Sequence, residues 1–147
     1  MAAITMPTTA PRERFTKTRR DHASETFEDY TEAIDEICSS TGSCRVRDLA
    51  LFMRVSHVTV VRIVRRLVAE GLASKGSHAP ITLTPSGARL ARAARARHAT
   101  VISFLRALGV PLAQATRDAE GIEHHTSSAT LRAMRRYLAR PRARAAT

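Results

Sequence analysis

Residues 46–71 leave little choice of fold. Leu49, Ala50 and Met53 fall at spacings that a two-turn helix gathers on one side. Arg54-Val55-Ser56 interrupts the pattern as a turn, and Ser56 is a good N-cap for the next helix. That helix runs to about Glu70 and stops at Gly71, a residue type that closes helices at positive φ. On a wheel of ~100° per residue, Val60, Ile63, Val64 and Leu67 share one face. Val58, Val61, Arg62 and Arg65 share the other. Upstream, residues 25–37 also read as a helix, with Phe27, Tyr30, Ala33, Ile34 and Ile37 recurring every three or four positions. Downstream, residues 72–75 and 80–83 read as short strands around Gly76-Ser77-His78-Ala79, a hairpin. Helix, helix, turn, helix and a two-stranded wing is the order of a winged helix-turn-helix.

Thr84-Pro85 then opens a new helix, with Thr at the N-cap and Pro at the first position. It runs to Leu108 and stops at Gly109, more than ~30 Å at ~1.5 Å per residue. That is too long for a winged helix alone, so it carries the chain into a second helical unit. Residues 112–125 and 128–138 are expected to be further helices. The expected fold is mainly α: a winged helix-turn-helix over residues 23–85, then an all-α unit over 86–139. Residues 1–22 have no apolar periodicity and read as a flexible basic arm. Residues 140–147, broken by Pro141, read as a basic tail.

The chain has 147 residues, room for one domain or two small ones sharing a core. Aromatics are 4% and Trp is absent, so the core must come from Ala, Val, Leu and Ile, which suits helices. With 24 Lys+Arg against 13 Asp+Glu, the net charge of +11 points to a polyanionic partner. No apolar run reaches the ~18 residues of a membrane span; the best, residues 101–113, is broken by Arg106 and Pro111. Residues 1–6 are too short for a secretory signal. Cys38 and Cys44 make no disulfide framework, which fits the cytoplasm. Cys38 reads as a packed thiol and Cys44 as a loop thiol. With the wing, the positive charge favours double-stranded DNA over a membrane. Val58, Val61, Arg62 and Arg65 would then form the major-groove face, with Ser56, His57 and Thr59 in the first turn reaching phosphates or base edges.

The acids are gathered rather than spread. Six of the 13 lie between Glu25 and Glu36, and three between Asp118 and Glu123. Asp29 and Glu32, three apart, share a helix face and suit one hard cation, although charged helix faces are usually just solvated. Glu120, Glu123 and His124 put two carboxylates and an imidazole within one turn. His98 adds an imidazole among apolar neighbours, where a packed core histidine is the commoner case. Four carboxylates and two imidazoles without a thiolate suit Mn(II) or Fe(II) better than structural zinc.

Spacing alone does not bring these residues together. The segments Glu28-Asp29-Tyr30-Thr31-Glu32, Ala96-Arg97-His98 and Asp118-Ala119-Glu120-Gly121-Ile122-Glu123-His124-His125 resemble the metal-site motifs of the diphtheria toxin repressor family, in its manganese-responding branch. The likeness runs from about Phe27 to Tyr137 and includes the Leu-Thr-Pro-Ser-Gly entry to the long helix. It implies that Asp29, Glu32, His98, Glu120, Glu123 and His124 ligate one or two Mn(II) ions per subunit, with a bridging carboxylate where two bind. His125 would be an outer neighbour. Iron-sensing relatives use sulfur ligands, and one carries methionine where this chain has Asp29, which favours manganese. With the sequence ending soon after the dimerisation helices, no SH3-like third domain of the longer members is expected, which also fits the manganese branch. The resemblance further implies a homodimer through the helices after Gly109, a near-palindromic operator and repression of metal uptake. Two rival readings stay open: a winged-helix regulator responding to Fe(II) or a small organic ligand, and, remotely, a metal-dependent hydrolase. No HExxH motif, nucleophile elbow or glycine-rich phosphate loop supports the enzyme, so neither a catalytic residue nor a small-molecule substrate is expected.

Overall fold

The computed structural model describes residues 11–140, with side chains from Ser24 onward. In chain order it contains α1 (Pro11–Thr41), α2 (Val46–Met53), α3 (His57–Ala69), β1 (Ala73–Ser74), β2 (Thr82–Leu83), α4 (Pro85–Ala107), α5 (Leu112–Glu123) and α6 (Ser128–Leu138). Residues 1–10 of the expected arm and 141–147 of the expected tail lie outside the described residues.

Local signals explain most boundaries. Ser56 Oγ accepts from Thr59 N at 3.1 Å and caps α3. Arg54, in the left-handed region at φ 54°, turns the chain from α2 into it. Gly71 at φ 69° and Gly109 at φ 93° follow the ends of α3 and α4. Ser127 caps α6 through Thr130 N. The first helix corrects the reading of the arm: it begins at Pro11, not near Glu25, so residues 11–22 are helical. Proline suits a helix start, and 12–22 contain no glycine or second proline. Missing apolar periodicity does not by itself exclude a helix.

The core of the winged helix joins Tyr30, Ala33, Ile34 and Ile37 of α1 to Leu49 of α2 and Val60, Ile63, Val64 and Leu67 of α3. All four residues expected on the inner face of α3 are buried. Arg66 stacks over the Phe27 ring at 5.0 Å and so helps hold α3 to α1. The wing is shorter than expected. β1 and β2 pair antiparallel in the register Ala73↔Leu83 and Ser74↔Thr82. Ile81 instead bridges Cys44, donating its N–H to Cys44 O at 2.7 Å. Cys44 is therefore fully buried, and burial pushes its thiol up to about 12. The expected loop thiol is thus a core residue, while Cys38, half-buried, packs against the core as expected.

Thr84 joins the wing to α4. Its hydroxyl donates to Gly71 O at 2.6 Å and accepts from Gly87 N at 3.1 Å. Gly87 lies so close to the backbone that an added Cβ would meet Leu72 O at 1.9 Å. Gly87→Ala should therefore destabilise the protein by about 1–3 kcal/mol, although alanine ordinarily favours a helix over glycine by ~1 kcal/mol. Urea unfolding checks this, and unchanged or raised stability would contradict it.

Beyond the wing, α1, α5 and α6 all pack on α4. The buried strip of α4 is Gly87, Ala91, Ala94 and Val101, and that of α5 is Ala115, Ala119 and Glu123. These small side chains let the helices approach closely. Phe104 and Tyr137 meet edge-on at 5.4 Å between α4 and α6. No helix among the described residues is long and apolar enough to cross a membrane.

Candidate metal centre and nucleic-acid interface

Each buried strip adjoins or includes a polar residue. His98 continues the α4 sequence between Ala94 and Val101, and Glu123 closes the α5 strip at 5% exposure. The two side chains meet: His98 Nδ1 lies 2.7 Å from Glu123 Oε2. His98 Nε2 is 4.0 Å from Glu120 Oε1, one turn earlier on α5. From α1, Asp29 and Glu32 face the same place, and together with Ala33, Glu36, Phe52, Met53, His98, Glu120 and Glu123 they line a cleft of about 190 Å³. His124, the residue after α5, lies beside these residues. Its Nε2 is 3.6 Å from Asp29 Oδ1 and 3.5 Å from Glu123 Oε1. Five of the residues singled out in the sequence, from three helices, thus line one cleft, and His124 contacts two of them. Glu120, with a 69% exposed side chain, is the outermost. His125 is apart, 3.6 Å from Glu25 Oε1.

The donor set fits a hard divalent cation: four carboxylates and two imidazoles, with both thiols elsewhere in the fold. Among the described residues, however, no three such side chains are arranged as they stand to hold one ion. The imidazoles are paired with carboxylates instead. Binding an ion would exchange those contacts for coordinate bonds.

Electrostatics favours that exchange. Burial pushes Asp29 above the ordinary carboxylate range, and the nearby Glu120, Glu28 and Glu25 carboxylates add to it against His124. Burial also raises Glu32, with Glu123 adding to it, and raises Glu123 against the opposing pull of His98. An acid whose pKa is higher in the folded state holds its proton more tightly there. Its contribution to stability is complete below the unfolded pKa and is lost as pH rises through the folded one. The metal-free protein should therefore lose this contribution as pH climbs from the ordinary values of 3.8 for Asp and 4.5 for Glu through the raised ones. A divalent cation, competing with those protons, should restore more stability the higher the pH in this window. Thermal unfolding with chelator and with cation at several pH values checks this. A difference between the two that shrinks with rising pH would contradict it.

Two contributors escaped the sequence reading. Glu28, which the sequence analysis gives no role of its own, is 8% exposed. Its Oε2 faces both Arg97 Nη2 and His124 Nδ1, the latter at 3.2 Å. The available signal was parallel adjacency: an acid beside Asp29 and an arginine beside His98.

Away from the cleft residues, α3 presents His57, Val58, Arg62 and Arg65 to solvent, Val58 at 78% exposure. Ser56 spends its hydroxyl on the cap, in contact with both N and Oγ1 of Thr59. Val61 is half-buried. With Arg65, Val46, Val64, Val68, Lys75, Gly76 and Ser77 it lines a groove of about 360 Å³ between α3 and the hairpin tip.

A winged helix followed by helices that gather acidic and imidazole groups defines a class of metal-dependent transcriptional regulators. The family described as "Iron dependent repressor, metal binding and dimerisation domain" matches residues 84–145. The "Transcriptional regulator MntR" of Escherichia coli O6:H1 is 39% identical over 125 residues, covering 85% of this chain and 81% of that protein. The "HTH-type transcriptional regulator MntR" of Lysinibacillus sphaericus is 35% identical over 101 residues, covering 69% of this chain and 73% of that protein. Among solved structures, the manganese regulator SloR superposes with a TM-score of 0.66 at 28% identity, over 78% of this chain and 54% of that one. IdeR of T. acidophilum superposes with a TM-score of 0.63 at 28% identity, over 75% and 53%. The chain spans about half the length of those two structures. The chain belongs to the diphtheria toxin repressor family of metal-dependent repressors. Members of this family are transcriptional regulators that bind DNA as dimers and take a divalent metal as cofactor; they are not enzymes.

Proposed function

We propose that this chain is a manganese-responsive repressor that acts in the cytoplasm as a homodimer on a near-palindromic operator and turns off metal-uptake genes. One or two Mn(II) ions per subunit would be held by Asp29, Glu32, His98, Glu120, Glu123 and His124, with Fe(II) a weaker activator. The observation that carries the reading is the cleft itself. Asp29 and Glu32 precede the helix-turn-helix in the chain, His98, Glu120 and Glu123 follow it, and all five line one space. Phe52 and Met53, at the end of α2, line it too, so the cleft wall includes part of the helix-turn-helix. Manganese is favoured by an oxygen-rich donor set with Asp29 rather than a sulfur ligand, and by the names of the relatives.

When bound, the ion would supply positive charge and coordinate bonds to these carboxylates and imidazoles. Without it, Asp29, Glu32, Glu120 and Glu123 repel one another, and the unit over residues 86–139 is tied to the unit over 23–85 less firmly. Holding the two units in one arrangement sets the separation of the two α3 helices in the dimer near one DNA turn, ~34 Å. Ser56, His57, Val58, Thr59, Val61, Arg62 and Arg65 then meet the major groove and its phosphates. The exposed Leu108, Leu112, Ile122, Tyr137 and Leu138 supply apolar surface for pairing two copies.

The test is fluorescence anisotropy at constant salt, because a +11 protein binds any DNA when salt is low. The probe is an inverted repeat from beside a divalent-metal transporter gene. Tight binding should appear with Mn²⁺, appear more weakly with anaerobic Fe²⁺, and vanish with chelator. Equal binding with and without metal would remove the switch.

A further inference from the structure

We propose that Glu28 and Arg97 are positioning residues that set the ring of His124 for coordination, without coordinating themselves; this rests on the metal site proposed above. The three side chains come from α1, α4 and the end of α5, and they meet at one oxygen. Arg97 Nη2 donates to Glu28 Oε2, and His124 Nδ1 lies 3.2 Å from the same atom. Both partners of the ion pair are largely buried, at 11% and 18% side-chain exposure for Glu28 and Arg97. An ionised carboxylate only accepts hydrogen bonds, so His124 Nδ1 must donate. In the neutral ring Nε2 then carries the lone pair, and that atom lies 3.6 Å from Asp29 Oδ1 and 3.5 Å from Glu123 Oε1. The guanidinium neutralises Glu28 and occupies it, which keeps a fifth carboxylate next to Asp29 out of the ligand set. Arg97 Nε is itself buried with no hydrogen-bond partner. The pair therefore carries a desolvation cost that packing alone does not explain. Imidazole ligands commonly have their second nitrogen held by a carboxylate in this way, which fixes the tautomer and the ring plane.

The experiment uses the full chain and two readouts. The first is the ¹⁵N–¹H spectrum of the imidazoles in metal-free protein, which reports the His124 tautomer. The second is Mn²⁺ affinity by calorimetry. In the wild type His124 should be the Nδ1–H tautomer. Glu28→Ala should release it to exchange between tautomers and weaken Mn²⁺ binding about 10–100-fold. Glu28→Gln, which retains an acceptor of the same reach, should recover part of both. Glu28→Ala leaves Arg97 buried and unpaired, which endangers folding, so the double variant Glu28→Ala/Arg97→Met carries the same test without a stranded charge. It should fold, with the tautomer still released and the affinity still reduced. An unchanged tautomer, an unchanged Mn²⁺ affinity, or a loss as large as that of Asp29→Ala would overturn the proposal, the last by making Glu28 a ligand. If the wild type takes up no Mn²⁺, the metal site is wrong, while the metal-free spectra still decide whether Glu28 and Arg97 orient the ring.

Discussion

Glu123→Ala is expected to abolish the manganese response of DNA binding while the protein still folds. No other carboxylate in the cleft touches both imidazoles. Its Oε2 meets His98 Nδ1 at 2.7 Å, and its Oε1 lies 3.5 Å from His124 Nε2. Losing an outer partner of a metal ligand costs about 10–100-fold in affinity. Losing a carboxylate at the centre of the donor set should cost more, about 100-fold or above. A metal-driven switch needs several kcal/mol of differential affinity, about 5.5 for a change from 1:99 to 99:1. Removing a residue proposed as a central ligand should take away much of that, so added Mn²⁺ should no longer raise operator affinity. The fold should survive, because burial already disfavours the charged form of Glu123. Circular dichroism without metal checks the fold, and anisotropy across a Mn²⁺ titration checks the switch. A variant that still tightens on DNA with manganese would show that the cleft is not the sensor.

Arg62→Ala should have the complementary phenotype. The residue is exposed on α3, on the face that carries Val58 and Arg65. Loss of one arginine contact to a base or phosphate costs about 1–3 kcal/mol, or roughly 5–150-fold in DNA affinity. A phosphate contact would also lower the salt slope by about one, whereas a base contact would relax sequence preference at one position. Mn²⁺ affinity in the DNA-free protein should not change. Arg66 is the useful contrast: its guanidinium is stacked on Phe27, so Arg66→Ala acts on the α1–α3 packing as well as on charge. Calorimetry with Mn²⁺ and anisotropy at several salt concentrations separate these effects. A large drop in the metal affinity of Arg62→Ala would end the division of labour between α3 and the cleft.

Much of this protein is legible residue by residue, because the signals act within a turn or two of chain. The caps Ser56 and Thr84-Pro85 and the stops Gly71 and Gly109 place helix ends through bonds to near neighbours. The inner face of α3 follows from a 3.6-residue period, and the same period puts Asp29 beside Glu32 and Glu120 beside Glu123. The failures have one origin, which is that the partner lies far along the chain. Ile81 leaves the wing because Cys44, on the other side of α2 and α3, takes its N–H. Glu28 gets no role from the sequence because neither Arg97 nor His124, which is 96 positions away, is visible in its own helical period.

Chemistry and capacity were therefore written locally: which residues form helices, which faces are apolar, and which short segments carry donors suited to a hard cation. Convergence was decided by packing. Alanine strips on α4 and α5 bring those helices close enough for His98 and Glu123 to touch, and the same α4 surface receives α1 with Asp29 and Glu32. A helix fixes the neighbours of a side chain within about one turn, whereas the distance between two helices depends on every side chain buried between them.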